Sequence, residues 1–160
     1  MSTQQNYSPK SSTRSNQVVA LEKGRVPPQA VDIEEVVIGA LLIDKAAVND
    51  VIDILDSQCF YKEAHTWIFE AIKDLFGKSE PIDIITVANY LRKNGKMELI
   101  GGEHYLAMLS TKVSSAAHVE YHARIILQKY IQRELIRISS EIISDAFDES
   151  TDVLELLDSA

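Results

Sequence analysis

Cysteine is almost missing: Cys59 is the only one in 160 residues. An internal disulfide is therefore excluded, and the cytoplasm is the economical compartment. Long apolar runs are missing too. The longest, VVIGALLI from Val36 to Ile43, is far short of the roughly 20 residues that a membrane-crossing helix needs. No basic stretch at the N-terminus is followed by an apolar one, so no secretory signal is visible. Basic residues are scarce where a nucleic-acid surface would need them. Residues 1–25 hold Lys10, Arg14, Lys23 and Arg25 against Glu22 alone, whereas residues 26–160 hold 12 basic and 23 acidic side chains, a net of −11. Affinity for nucleic acid comes from clustered Lys and Arg neutralising phosphates, so a body of this sign implies little direct DNA binding.

What remains is ordinary globular material. Hydrophobic residues make up 46% of the chain and charged ones 25%, enough at this length to bury one real core with segments attached to it. Residues 1–25 are rich in Ser, Gln, Asn and Thr and too poor in apolar side chains to offset the entropy of ordering, so they read as a disordered tail. The prolines of RVPPQ, Arg25 to Gln29, then mark the boundary.

From there the spacing is helical and the fold class is all-α. Asp32 is a plausible N-cap with Glu35 three residues on, and Ile33, Val36, Val37, Ala40 and Leu41 share one stripe. Asp44 can cap a second helix bearing Val48, Val51, Ile52 and Leu55. A third runs from about Lys62 to Phe76, with Ala64, Ile68, Ala71, Ile72 and Leu75 on its stripe, Trp67 and Phe69 widening it, and Gly77 ending it. Asp83 can cap a fourth, which carries Ile84, Val87, Ala88 and Leu91 and stops at Asn94 and Gly95; a shorter helix covers Glu103 to Ser110. Residues 26–113 thus form a compact multi-helix head. Residues 114–160 differ. From Ser115 to about Phe147 there is neither Pro nor Gly, and Val119, Ala123, Leu127, Ile131, Leu135, Ile138, Ile142 and Ala146 recur every three or four positions. Such a helix outreaches a small head and must bury its stripe against an antiparallel helix or another chain. DVLELLDSA, capped by Asp152 and Glu155, then opens another helix. The expectation is a helical hairpin whose second arm is cut, at the front of a longer polypeptide.

No enzyme site can be assembled from spacing. LRKNGKMELIGG, Leu91 to Gly102, holds three of the six glycines beside Arg92, Lys93 and Lys96, yet it contains no phosphate-loop pattern. Helix ends explain its glycines, with the cations as solvated charges. TVANYLRKNG, Thr86 to Gly95, could open a helix-turn-helix, but MELIGGEHYLAML follows without a basic recognition helix. His118 and His122 stand at i and i+4 as a metal pair would; the glutamate lies at i+2, no third ligand is near in sequence, and partly exposed helix histidines are the plainer reading. Glu34 beside Glu35, and Asp145 near Asp148, are what an acidic helical surface produces.

Several blocks carry a resemblance that periodicity does not supply. EEVVIGALLID, the FY…H…IF.AI block from Phe60 to Ile72, PID..T from Pro81 to Thr86, GG..YL..L from Gly101 to Leu109 and SSAAHVEYHARII together resemble the N-terminal domain of the bacterial replicative DNA helicase family, DnaB, from about Val26 to about Leu135. His122 and Ile33 depart from the pattern, where a small or varied residue and an alanine are the more common. The resemblance implies a helical head and a long hairpin that pairs with its copy, so that six subunits form a collar of three dimers. That collar binds primase and, in some systems, a helicase loader. The resemblance also implies that ATP and Mg belong to an ATPase domain absent from these residues, so the chain itself has no catalytic or metal site and no cofactor.

The surface expected to pair copies or meet partners lies on the long helix: Ile126, Leu127, Tyr130, Ile131 and Ile138 as apolar contacts, with Arg124, Lys129, Arg133 and Arg137 supplying ion pairs at the rim. Packing of the hairpin's second arm would use adjacent faces. Two other classes stay open. The helicase-binding domain of a primase has a similar head and hairpin, but it would sit last in its protein, after no disordered tail. A free-standing helical DNA-binding protein would show salt-dependent binding to DNA.

Overall fold

Pro27 and Pro28 keep the chain out of helix until Val31, and from there helices follow one another with short breaks. A computed structural model describes residues 24–113 and 116–160. Among them the elements are α1 (Val31–Ile43), α2 (Lys45–Val51), a 3-10 turn (Ser57–Cys59), α3 (Glu63–Gly77), α4 (Ile84–Lys93), α5 (Met97–Ile100), α6 (Glu103–Thr111), α7 (Val119–Phe147) and α8 (Val153–Ser159), with no strand. The tail expected at residues 1–25 falls outside the described residues except for Gly24 and Arg25, as does the expected helix start at Ser115.

Helix α1 is the axis of the head. It packs against α2, α3, α4, α6 and α7, and its second half, Val37 to Leu42, is buried at every position. The single stripe expected from spacing is therefore too narrow: a helix covered on several sides has no solvent face to keep polar. Gly39 permits the closest of these approaches. A Cβ there would stand 2.3 Å from the Leu109 carbonyl oxygen and 2.6 Å from a Val113 methyl, so α1 and α6 touch backbone to backbone. The helix also starts earlier than expected, at Val31, with Ala30 at the N-cap position and no side-chain cap. Asp32 is exposed, Glu35 reaches Lys112 at 2.5 Å, and Glu34 turns inward. Tertiary partners outcompete the local cap.

The other starts follow local chemistry. Asp44 accepts from the Ala46 N–H at 2.9 Å, and Asp83 exchanges hydrogen bonds with Thr86 in a capping box. The stops hold one surprise. Helix α3 ends at Gly77 as expected, but the residue in the left-handed conformation is Ser79, φ 56, and the N–H groups of Ser79 and Glu80 close onto the carbonyls of Phe76 and Leu75. The same closure recurs at Gly95 with Lys96, and at Gly101 with Gly102. These two closures bracket α5, a helix of four residues that spacing misses, which buries Met97 and Ile100.

Helix α7 has 29 residues, a length of about 44 Å at roughly 1.5 Å per residue. Its first half is a root: Val119, Ala123 and Ile126 are buried, and Leu127 and Tyr130 pack beside them against α1, α2 and the 3-10 turn. Its second half is an arm. Residues 135–139 are all exposed, and α8 packs against α7 after the turn.

Candidate functional site: the arm and its root

Two features stand out, an apolar surface on the arm and a polar cluster at its root. On the arm, Ile131, Leu135, Ile136 and Ile138 are each at least two-fifths exposed, and on α8 Val153, Leu154 and Leu157 are 75%, 74% and 72% exposed. Apolar side chains recurring at helical spacing along two consecutive helices, open to solvent, form a surface that is stable when covered. The polar rim is tied up within the helix: Arg137 bridges Glu134 at 2.9 Å and Glu141 at 2.7 Å, and Arg124 meets Glu120 at 2.7 Å. The hydrogen bond from Arg137, then its charge, hold the Glu134 carboxyl below the usual carboxylate range.

At the root, Glu34 and His65 are 1% and 0% exposed. The Glu34 carboxylate accepts from the Tyr61 N–H at 2.6 Å and the Lys62 N–H at 3.3 Å, and its Oε2 lies 2.6 Å from Nδ1 of His65. Nε2 of His65 is 2.8 Å from the Tyr105 hydroxyl, which also accepts from Lys62 Nζ at 2.7 Å. Donation can run one way through the set, from Lys62 to Tyr105 to His65 to Glu34, which places a proton on Nδ1. A buried carboxylate needs such company. Among the described residues, the buried side-chain nitrogen or oxygen left without a partner is Nε1 of Trp67, outside this cluster. Close by, Asp56 opens the 3-10 turn. A hydrogen bond from Lys73, then the Ser57 N–H, hold its carboxyl below the ordinary aspartate value, while burial pushes the Cys59 thiol up.

The surface expected on the long helix divides between these two features. Ile126 is 1% exposed inside the head core, so it is not free to meet another chain; Leu127 and Tyr130 are half-buried beside it, and Lys129 is half-buried. Arg133 is turned inward as well, donating to the carbonyls of Pro28 and Cys59, both at 2.8 Å. Of the nine residues, Arg124, Ile131, Arg137 and Ile138 are exposed. Leu135 continues the stripe of Ile131 and Ile138, the leucines of α8 are exposed after it, and Ile136 lies round the helix, lining a groove with Val26 and Pro27. Their spacing announces them as helix-stripe residues; what spacing does not show is where the head ends along α7.

Three smaller expectations change. Glu34 is a core residue and not a surface one. His118 lies outside α7 with φ 68, so it and His122 do not share a helix face, and among the described residues no three His, Cys, Asp or Glu side chains converge as metal ligands. In LRKNGKMELIGG, Arg92 is held by Glu103 and Asn89, and Lys96 lies 3.7 Å above the Trp67 ring. Lys96 thus packs on the head, whereas Arg92, though paired, and Lys93 are exposed as expected.

Known proteins place this geometry. The chain is 44% identical over 137 residues to the replicative DNA helicase DnaB of Rhodothermus marinus, a match that covers 86% of this chain and 14% of that protein. Its fold matches the crystal structure of the N-terminal domain of DnaB helicase from Mycobacterium tuberculosis with a TM-score of 0.79 at 36% identity, covering 83% of this chain and 94% of that one. A DnaB-like replicative helicase, solved in a study of its interactions with primase, shares the fold at TM-score 0.69 and 22% identity, over 81% of this chain and 30% of that one. No helix among the described residues is long and apolar enough to cross a membrane. The matched region is the N-terminal domain and not the catalytic ATPase domain of those helicases. With residues 26–128 matched by the family described as DnaB-like helicase N terminal domain, the chain belongs to that family.

Proposed function

We propose that this domain is the assembly and partner-binding part of a hexameric replicative DNA helicase in the cytoplasm. The observation that carries the reading is the exposed apolar stripe of the arm, Ile131, Leu135 and Ile138, followed by the exposed Val153, Leu154 and Leu157 of α8. Pairing of two arms covers it, and pairs then join into a collar. Primase is the proposed outside partner, supported by the fold shared with a DnaB-like helicase whose interactions with primase have been described; a loader is a second. ATP hydrolysis, with its Mg, and DNA unwinding belong on this reading to an ATPase domain outside the matched region.

Sedimentation velocity across a concentration series tests the pairing. The wild-type chain is expected to shift from monomer toward dimer, and Leu135→Asn with Leu154→Asn is expected to stay monomeric at every concentration. A wild-type chain that remains monomeric, alone and when extended through the rest of the hairpin, overturns self-association through the arm.

A further inference from the structure

The root of α7 is held in two different ways. Val119, Ala123 and Ile126 press against the head, and apolar contact of that kind is strong but non-directional. It resists separation better than it resists rotation. The directional contacts are polar, and they converge on one short piece of backbone, Cys59 to Lys62. From inside the head, Glu34 takes the N–H groups of Tyr61 and Lys62, and it is itself fixed by His65 and, through Tyr105, by Lys62. From the helix, Arg133 donates to the Cys59 carbonyl, and its guanidinium carbon lies 5.5 Å from the centre of the Tyr61 ring. A second branch of the same guanidinium takes the Pro28 carbonyl, three residues before α1 begins.

A planar guanidinium that spans two carbonyls from separate segments fixes orientation as well as distance. Beyond it the helix opens to solvent. Residues 135–139 are exposed, and an open groove of ≈ 650 Å³ separates Val26 and Pro27 from Ile136 and Arg137. Arg133 therefore stands where the covered part of the helix gives way to its exposed stretch.

We propose that the Cys59–Lys62 segment is a pin gripped from both sides, by Glu34 from the core and by Arg133 from the helix, and that it sets the direction in which the arm leaves the head. Releasing either grip lets the arm reorient about its root while the head stays folded. The two grips act through one backbone segment, so their loss is coupled. The pin operates within one copy of the chain and goes beyond the pairing proposed above.

Single-molecule energy transfer between dyes at Glu98→Cys on α5 and Ser144→Cys near the end of α7 reads the arm's direction. The dilution abolishes pairing, so a failure here is distinct from a failure of self-association. Wild type is expected to give one narrow distribution. Arg133→Met, which keeps the length of the side chain and removes its donors, is expected to broaden or shift it, as is Glu34→Gln. The double variant is expected to be no broader than the more affected single one, because the same pin is lost. Arg137→Met, one turn on and paired only within its helix, is expected to match wild type. Trp67 fluorescence and helical circular dichroism report whether the head remains folded. If Glu34→Gln unfolds the head, Arg133→Met, whose guanidinium lies outside the apolar core, still decides. A wild-type distribution for Arg133→Met overturns the proposal, as does equal broadening by Arg137→Met or independent, additive broadening by the two pin variants.

Discussion

At the scale of single residues, the tightest constraint in the head is the lack of a side chain at position 39. A methyl group there would sit 2.3 Å from the Leu109 carbonyl oxygen, and that oxygen belongs to a helix backbone that cannot move alone. Gly39→Ala is thus expected to force α1 and α6 apart and to lower the unfolding free energy by about 2–3 kcal/mol, toward the upper end of overpacking costs. Thermal denaturation followed by circular dichroism checks it, and a variant as stable as wild type would refute the close approach. Glu34 and Glu35 show why such detail escapes sequence reading. They are chemically identical neighbours, yet one is sealed in the core and the other pairs with Lys112 at the surface. What separates them is company 27 to 31 positions away, Tyr61, Lys62 and His65, and a single sequence does not announce that company. Arg133 is hidden for the same reason: its acceptors are backbone carbonyls 74 and 105 positions away, and carbonyls leave no mark in the sequence.

At the scale of elements, helix starts were legible where a cap is made by the residue's own side chain, as at Asp44 and Asp83. They were misjudged at α1, where tertiary partners displace the cap. Helix ends separate on the same principle. Glycine suggests an end, and α3, α4 and α5 each end at or beside one; Gly95 and Gly101 also take the left-handed position themselves, whereas after Gly77 that position falls two residues on, at Ser79. Opposite signs follow from the two assignments. As the last residue of α3, without a positive φ and with open space around it, Gly77→Ala is expected to stabilise the head by about 0.5–1 kcal/mol. Ser79→Gly is expected to stabilise it by about as much, by relieving a side chain held at positive φ. Denaturant titration reads both, and destabilisation by Gly77→Ala would return the terminator to position 77. The extent of α1's burial was not legible at all, since a one-face stripe is the most that spacing describes, and a helix surrounded on several sides needs knowledge of its neighbours.

At the scale of the whole molecule, α7 changes role along its length, and the change separates two kinds of apolar residue that a helical repeat treats alike. Ile126 is part of the head core, whereas Leu135 is 60% exposed. Truncating the first leaves a cavity, so Ile126→Ala is expected to cost about 2–5 kcal/mol and to lower the unfolding midpoint equally at every protein concentration. Replacing the second removes little packing within the copy. Leu135→Asn is expected to unfold at the wild-type midpoint in dilute solution, within about 0.5 kcal/mol. Association favours the folded state by mass action, so the wild-type midpoint should rise with concentration while that of Leu135→Asn stays flat. Calorimetry over a concentration series separates the cases. A concentration dependence that survives Leu135→Asn and disappears in Ile126→Ala, with the head still folded, would move the pairing surface from the arm back to the root.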